Sequence, residues 1–88
     1  MPTPIVPPAG TYELHSVVGS SSLSTDVHVT STGAGCIMGG FDIEQRSSGP
    51  VFVNHSYDPP VELKFYDDGS YTLITPAGNG AGQFHPKP

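Results

Sequence analysis

The sequence predicts an all-β protein, a small antiparallel β-sandwich or barrel of about six short strands with an extended arm at each end. Two observations predict this fold class. Apolar side chains recur at every second position in several segments, which is the period of a strand with one buried face. Eleven glycines and ten prolines among 88 residues, together with serine and threonine, interrupt every stretch long enough for a helix. The chain therefore divides into a proline-rich arm at 1–9, a β domain at 10–76 and a Gly/Pro-rich arm at 77–88.

The first two strands are predicted from this alternation. At residues 11–18, Tyr12 and Leu14 alternate with polar neighbours, as in a half-buried strand. The next segment is rich in β-branched residues, which favour strands. Its positions expected to face the core are Leu23, Thr25, Val27 and Val29.

Two further strands are predicted after a glycine-rich turn at Gly33–Gly35. Gly39 and Gly40 lie inside the first of them, which indicates a bulge or a close backbone approach. A turn at 47–50 then leads into a strand at 51–57. The residues expected on the core side of the first of these strands are Ile37, Phe41 and Ile43.

The last two strands are predicted as a hairpin around Asp67-Asp68-Gly69. A two-residue loop would place Phe65 opposite Thr72, an apolar residue against a polar one. A three-residue loop with Gly69 in a left-handed conformation instead pairs Phe65 with Tyr71, and we predict this register. The face expected to be buried consists of Val61, Leu63, Phe65, Tyr71 and Leu73.

Composition excludes several classes of function. Charged residues are 12% of the chain, against roughly 25% in most soluble proteins. Three basic residues against eight acidic ones leave no patch suited to phosphates or to anionic lipids, so we expect no nucleic-acid or membrane partner. The first residues have neither the basic nor the apolar region of a signal peptide, so we expect synthesis in a cytoplasm.

Residue types that carry chemistry are present without a pattern that combines them. Cys36 is the single cysteine, which precludes an intrachain disulfide and a multi-cysteine zinc site. His15 and His28 are expected on outer faces of adjacent strands, but metal binding requires convergence. The glycine-rich segments lack the following helix of a phosphate loop. We predict no catalytic residue, no metal and no cofactor.

The segment from Leu63 to Leu73, with the sequence LKFYDDGSYTL, resembles a hairpin of the small capsid decoration (cement) proteins of tailed bacteriophages. Members of that group are short, poor in charge and cysteine, and carry a terminal arm that orders on the capsid. The resemblance implies a non-enzymatic structural protein that forms a homo-oligomer, a trimer by expectation, on a capsid-like lattice. It also implies a location in the virion if the protein is viral.

A second comparison is with lipocalin-like barrels, which begin with Gly-x-Trp and carry a similar hairpin. Gly10-Thr11-Tyr12 has tyrosine in place of that tryptophan. The chain is also expected to be too short for eight strands around a ligand cavity.

The arms are the expected partner contacts, because extended chains of this length reach roughly 25 Å and 40 Å at ~3.1 Å per residue. The alternative function is a small ligand-binding, carbohydrate-binding or adhesion module that uses Tyr57, Tyr66 and Tyr71. The candidate contact residues are Ile5, Val6, Pro7 and Pro8 in the first arm and Gln83, Phe84 and His85 in the second.

Overall fold

A computed structural model describes residues 2–18, 21–36 and 39–87. These residues form an antiparallel barrel of eight strands, with one further short strand against its wall. Strands β2 to β9 pair in chain order, and β9 pairs with β2 to close the barrel. The strands are β1 (Pro4–Ile5), β2 (Gly10–Val18), β3 (Ser21–Val29), β4 (Gly33–Cys36), β5 (Gly39–Arg46), β6 (Gly49–Asn54), β7 (Val61–Tyr66), β8 (Ser70–Thr75) and β9 (Gly78–Pro86).

The antiparallel all-β class is confirmed, and the expectation of about six strands is wrong. The predicted turn at Gly33–Gly35 is part of strand β4, and most of the predicted second arm is strand β9. The chain length does not prevent an eight-stranded barrel, because the barrel strands have only four to nine residues each. The interior of so small a barrel is filled by side chains.

The core consists of the inward side chains of the barrel strands, as alternation requires. Three aromatic edge-to-face contacts link β6, β7, β9 and β2 inside the barrel. The ring centroids are 5.3 Å apart for Phe52–Phe65, 4.8 Å for Phe65–Phe84 and 5.7 Å for Tyr12–Phe84. The buried apolar cluster comprises Tyr12, Leu14, Val27, Val29, Ala34, Phe41, Phe52, Val61, Leu63, Phe65 and Tyr71.

The predictions for individual core positions in β3 and β5 have different outcomes. Val27, Val29 and Phe41 are buried as expected. Thr25 was expected to face the core and is exposed. Ile37 lies outside the described residues, and the side chain of Leu23 is also outside the description.

The predicted register of the β7–β8 hairpin is confirmed. Phe65 pairs with Tyr71, and Leu63 pairs with Leu73. Gly69 has a φ of 88°, and its N–H donates to the carbonyl of Tyr66 at 3.1 Å. The last residue of a three-residue hairpin loop has a positive φ, and glycine adopts such a φ without a steric penalty.

Strand β6 is buried on both faces. Phe52 points into the barrel, and its outward neighbours Val51 and Val53 are nevertheless 0% and 1% exposed. Arg46 on β5 donates to Glu62 on β7 at 3.1 Å. Because β6 lies between those strands, this ion pair passes over the outward valines and helps to cover them.

Both predicted arms are held by the barrel of the same chain. In the first arm, Pro4 and Ile5 pair with Tyr66 and Phe65 of β7. The Asp67 N–H donates to the Thr3 carbonyl at 2.9 Å. In the second, the expectation of an extended arm outside the β domain is wrong, because β9 pairs with both β2 and β8.

Candidate functional site

Within the described residues, the ladder on one side of strand β3 is incomplete. Along its other side, β3 pairs with β2 at every position from Ser21 to Val29. Among the described residues, its pairing with β4 comprises only His28 with Gly35 and Val29 with Ala34. Residues 21–27 therefore present a strand edge without a described ladder partner. We call this stretch the β3 edge.

Unequal strand lengths produce the β3 edge. Strands β2 and β3 have nine residues each, whereas β4 has four. Cys36, the last residue of β4, pairs with Gly39, the first residue of β5. The β2 side of the same hairpin is also incomplete, because β9 pairs with β2 at residues 12–15.

A groove of about 800 Å³ lies beside the β3 edge. Three consecutive β3 residues, Ser24, Thr25 and Asp26, line it. Since neighbouring strand residues point to opposite faces, lining by all three means that the groove includes the edge itself. Gly35 and Gly39 line the opposite side. A Cβ added at Gly35 would meet no atom within 4 Å, so this side is low and open.

The charged side chains around this groove, which we call the edge groove, are largely paired. Lys87 donates to the Asp26 carboxylate at 2.6 Å, and this hydrogen bond raises the pKa of Lys87. Glu13 lies opposite Asp26 in the β2–β3 register, and its carboxylate is 3.6 Å from the imidazole of His85. His28 Nδ1 is 2.8 Å from the Thr11 hydroxyl. These polar groups thus lie beside the edge and are bonded to one another.

The histidines do not converge. His15 pairs with Ser24, and His28 pairs with Thr11, so the two rings are four register positions apart, about 13 Å along the sheet. Within the described ranges, no group of three or more histidine, cysteine, aspartate or glutamate residues is arranged to hold a metal ion.

The structure separates the seven predicted contact residues into two regions. Those of the first arm lie beside β6 and β7, and those of the second lie in the β9 wall beside β2. Ile5, Pro7 and Phe84 are directed to the chain's own barrel. In order, Ile5 is half-buried, Val6 is 38% exposed, Pro7 is buried, Pro8 is exposed, Gln83 is exposed, Phe84 is half-buried and His85 is exposed.

The three tyrosines of the alternative interpretation do not share a surface. Tyr71 belongs to the core, whereas Tyr57 is 40% exposed. Tyr66 lines a second groove of about 490 Å³ on the outer face of β7, β8 and β9, together with Ile74 and Asn79. Both apolar and polar side chains line this second groove.

Sequence reasoning missed the β3 edge because it depends on where a ladder stops. No family model, curated protein or solved structure matches the chain. In the part of the chain that the structure describes, no helix has the length and apolar character needed to cross a bilayer. The geometry of the edge groove is therefore the basis for a functional assignment.

Proposed function

We propose that this protein is a non-enzymatic structural subunit that joins a larger protein assembly by accepting an extended strand of a neighbour along the β3 edge. One observation carries the proposal. Strand β3 is fully paired with β2 and, among the described residues, pairs with β4 at two positions only. Strand addition at such an edge gives affinity through main-chain hydrogen bonds.

Judged by its sequence and by the described residues around it, the β3 edge lacks the usual protection against strand addition. Natural sheets cover or disrupt exposed edges with lysine, proline, bulges or very short strands. Residues 21–27 read SSLSTDV, with no lysine or proline and a single charge at Asp26. An edge of seven residues without these devices is typical of a surface that a partner covers.

The shape of the edge groove fits an added strand. A neighbouring strand lies about 4.8 Å from the edge, and the low side at Gly35 leaves room for it. Lys87 and Asp26, which are hydrogen-bonded to each other, flank this position. The preferred partner segment is extended and carries small or β-branched side chains.

A capsid-type lattice is the assembly that we propose first, with this protein as a decoration or cement protein. The resemblance of the Leu63–Leu73 hairpin and the low charge content of the chain support this choice. Contact through the β3 edge differs from the arm contact expected from the sequence, because both arms stabilise the barrel itself.

A carbohydrate-binding module is the second candidate, favoured by the second groove. Tyr66 offers an aromatic ring there, and its hydroxyl is 3.5 Å from that of Thr72. Lys64 and Asn79 supply polar groups in the lining of this groove. Saccharides that shift the NMR signals of Tyr66 and Ile74 at millimolar concentration would favour this candidate.

The test of strand addition uses a synthetic peptide and two glycine variants. The probe is an eight-residue peptide of alternating threonine and valine with a lysine at each end. We expect it to shift the backbone amide signals of residues 24–28 and of Gly35. Gly35→Val should weaken binding at least tenfold, because the new side chain fills the open side of the edge groove.

Gly80→Val on β9 is the matched control, since a Cβ there also meets no atom within 4 Å. It should bind the peptide like the unmodified protein. Shifts distributed over the whole barrel, or equal binding by the two variants, would overturn the proposal.

A further inference from the structure

We infer that the barrel carries a binding site for a short extended segment in which prolines flank one branched apolar residue. The chain's own residues 3–8 fill this site in the structure, and a segment of the same chemistry from another chain takes their place when they are displaced. The site lies on the β6 side of strand β7, beside Phe65 and Tyr66, and we call it the β1 slot. It is separate from the β3 edge and does not depend on the proposed function.

The β1 slot exists because strand β6 stops pairing with β7 before β7 ends. Within the described residues, the β6–β7 ladder ends at Phe52 and Leu63. Two positions further along β6, Pro50 would lie opposite Phe65, but a proline has no N–H to donate to a ladder. Strand β1 takes up the pairing at this point, opposite Phe65 and Tyr66.

The backbone of the arm is recognised by hydrogen bonds from β7 and from the turn that follows it. The Asp67 N–H donates to the Thr3 carbonyl at 2.9 Å, and the Thr3 N–H donates to the Asp67 carboxylate at 3.1 Å. Hydrogen-bonded pairs alternate along an antiparallel ladder, so Ile5 forms the next such pair with Phe65, and Pro4 lies between the two. The missing N–H of Pro4 therefore costs no hydrogen bond to β7.

Side-chain contacts of the arm determine which segments fit the β1 slot. Ile5 is half-buried and packs against the apolar core, which favours a branched apolar residue at this position. Pro7 is buried, and the Pro8 carbonyl accepts a hydrogen bond of 2.6 Å from the Tyr12 hydroxyl. Prolines hold a chain extended before it binds, so less conformational entropy is lost on binding. The preferred ligand therefore has the pattern of residues 3–8, Thr-Pro-Ile-Val-Pro-Pro.

Strand β1 is an attachment to the barrel and not one of the strands that close it. Its ladder has two residues, and strands β2 to β9 complete the barrel without it. In the connection from β1 to β2, Val6 and Pro8 are exposed. Detachment of the arm therefore leaves the ladders of β7 with β6 and with β8 in place, and the β1 slot remains formed for another segment.

A full-length variant with a detached arm tests this site. Ile5→Asp places a charge against the core, so the arm should leave the slot while β2 to β9 stay closed. The probe is a fluorescent peptide with the sequence of residues 2–9, PTPIVPPA, titrated by fluorescence anisotropy. We expect it to bind Ile5→Asp at least tenfold more tightly than the unmodified chain. A short flexible connection gives the chain's own arm an effective concentration in about the millimolar range, so free peptide competes with it only near that concentration.

Two controls separate binding in the slot from non-specific binding. The same peptide with aspartate in place of its isoleucine should not bind the Ile5→Asp chain. Val6→Asp places the charge at the exposed neighbouring position and should bind the native peptide as weakly as the unmodified chain does. Circular dichroism of both variants confirms that the barrel is folded.

Displacement of the arm in the unmodified chain is a second measurement that does not depend on a variant. The chain carries carbon-13 methyl labels, and the peptide is unlabelled and present above the effective concentration of the arm. We expect the methyl signals of Ile5 to move to the positions of an unstructured segment. The amide signals of Phe65 and Tyr66 should stay near their original positions, because the peptide replaces the arm.

Each outcome either supports or overturns the inference. A folded Ile5→Asp chain that binds the peptide no better than Val6→Asp overturns it. If Ile5→Asp does not fold, the displacement measurement decides, and unchanged Ile5 signals at the highest peptide concentration overturn the inference. If the arm peptide binds but the threonine–valine peptide does not, the proposed function fails and the β1 slot stands.

Discussion

Replacing Phe84 with alanine distinguishes a strand in the barrel wall from a free arm. The Phe84 ring is half-buried against the core and makes edge-to-face contacts with Phe65 at 4.8 Å and Tyr12 at 5.7 Å between centroids. Truncation of a fully buried phenylalanine costs about 3–5 kcal/mol. Because this ring is partly exposed, we expect Phe84→Ala to lower the free energy of unfolding by about 3 kcal/mol, the bottom of that range.

Urea unfolding followed by circular dichroism measures this loss directly. In thermal unfolding, a domain of this size loses about 4–8 °C in melting temperature per kcal/mol, so the melting temperature should fall by roughly 12–24 °C. Phe84→Leu should recover most of the loss, since it keeps apolar volume and removes the ring contacts. Gln83→Ala, at the exposed neighbouring position, should change stability by less than about 0.5 kcal/mol. A loss below this limit for Phe84→Ala would refute the assignment of β9 to the barrel.

Three further predictions concern single side chains. A Cβ at Gly82 would overlap the carbonyl oxygen of His15 and lie 3.0 Å from the Tyr71 ring. Gly82→Ala should therefore lower the free energy of unfolding in urea by at least about 1–3 kcal/mol. An unchanged free energy of unfolding would contradict the close packing of β9 on β2. Gly69→Ala should cost about 1–2 kcal/mol because of its positive φ, and Gly69→Asn less; equal losses would contradict this reason. His55, which donates to Glu44 at 2.6 Å, and Arg46 lower the pKa of Glu44 below its ordinary 4.5, so this carboxylate stabilises the fold above pH 4.5 and that contribution is lost as pH falls through the lowered pKa. His55→Ala should raise the pKa of Glu44 towards 4.5 in a carbon-13 NMR titration, and an unchanged value would contradict the role of the hydrogen bond.

The parts of the fold that were predicted correctly are specified by residues close together in the sequence. The β7–β8 hairpin is specified by side chains that face each other and by Gly69 within its loop, all inside fifteen residues. Val27 and Val29 were assigned to the core from alternation alone, and both are buried. In these segments, the local pattern and the tertiary environment favour the same structure.

Strand β9 was missed because its stability comes from tertiary contacts. Its glycine-rich sequence has low β-propensity, and it forms a strand because β8 and β2 each supply a ladder partner. A signal was present in the alternation of Gly80, Gly82 and Phe84. At Gly82 the strand comes too close to β2 for any larger residue, so the glycine that argued against a strand is required by its packing.

The β3 edge could not be predicted for a related reason. The alternation around Val27 and Val29 identifies strand β3 but gives no information on which neighbour ends first. The short length of β4 becomes apparent only when Cys36 is seen to pair with Gly39. A candidate site defined by the absence of pairing requires knowledge of the whole sheet.

The closure of the barrel between β2 and β9 has a consequence for how the molecule folds. Leu14 and Phe84, which pair across this seam, are about 70 positions apart in the chain, and closing a loop of that length costs roughly 4 kcal/mol in chain entropy. The local hairpins should therefore form first and the seam last. Until then, β2 lacks β9, and at high protein concentration the β9 strand of another molecule can take its place beside β2. We therefore expect domain-swapped species, with β9 exchanged between copies, when the protein is refolded from denaturant at high concentration.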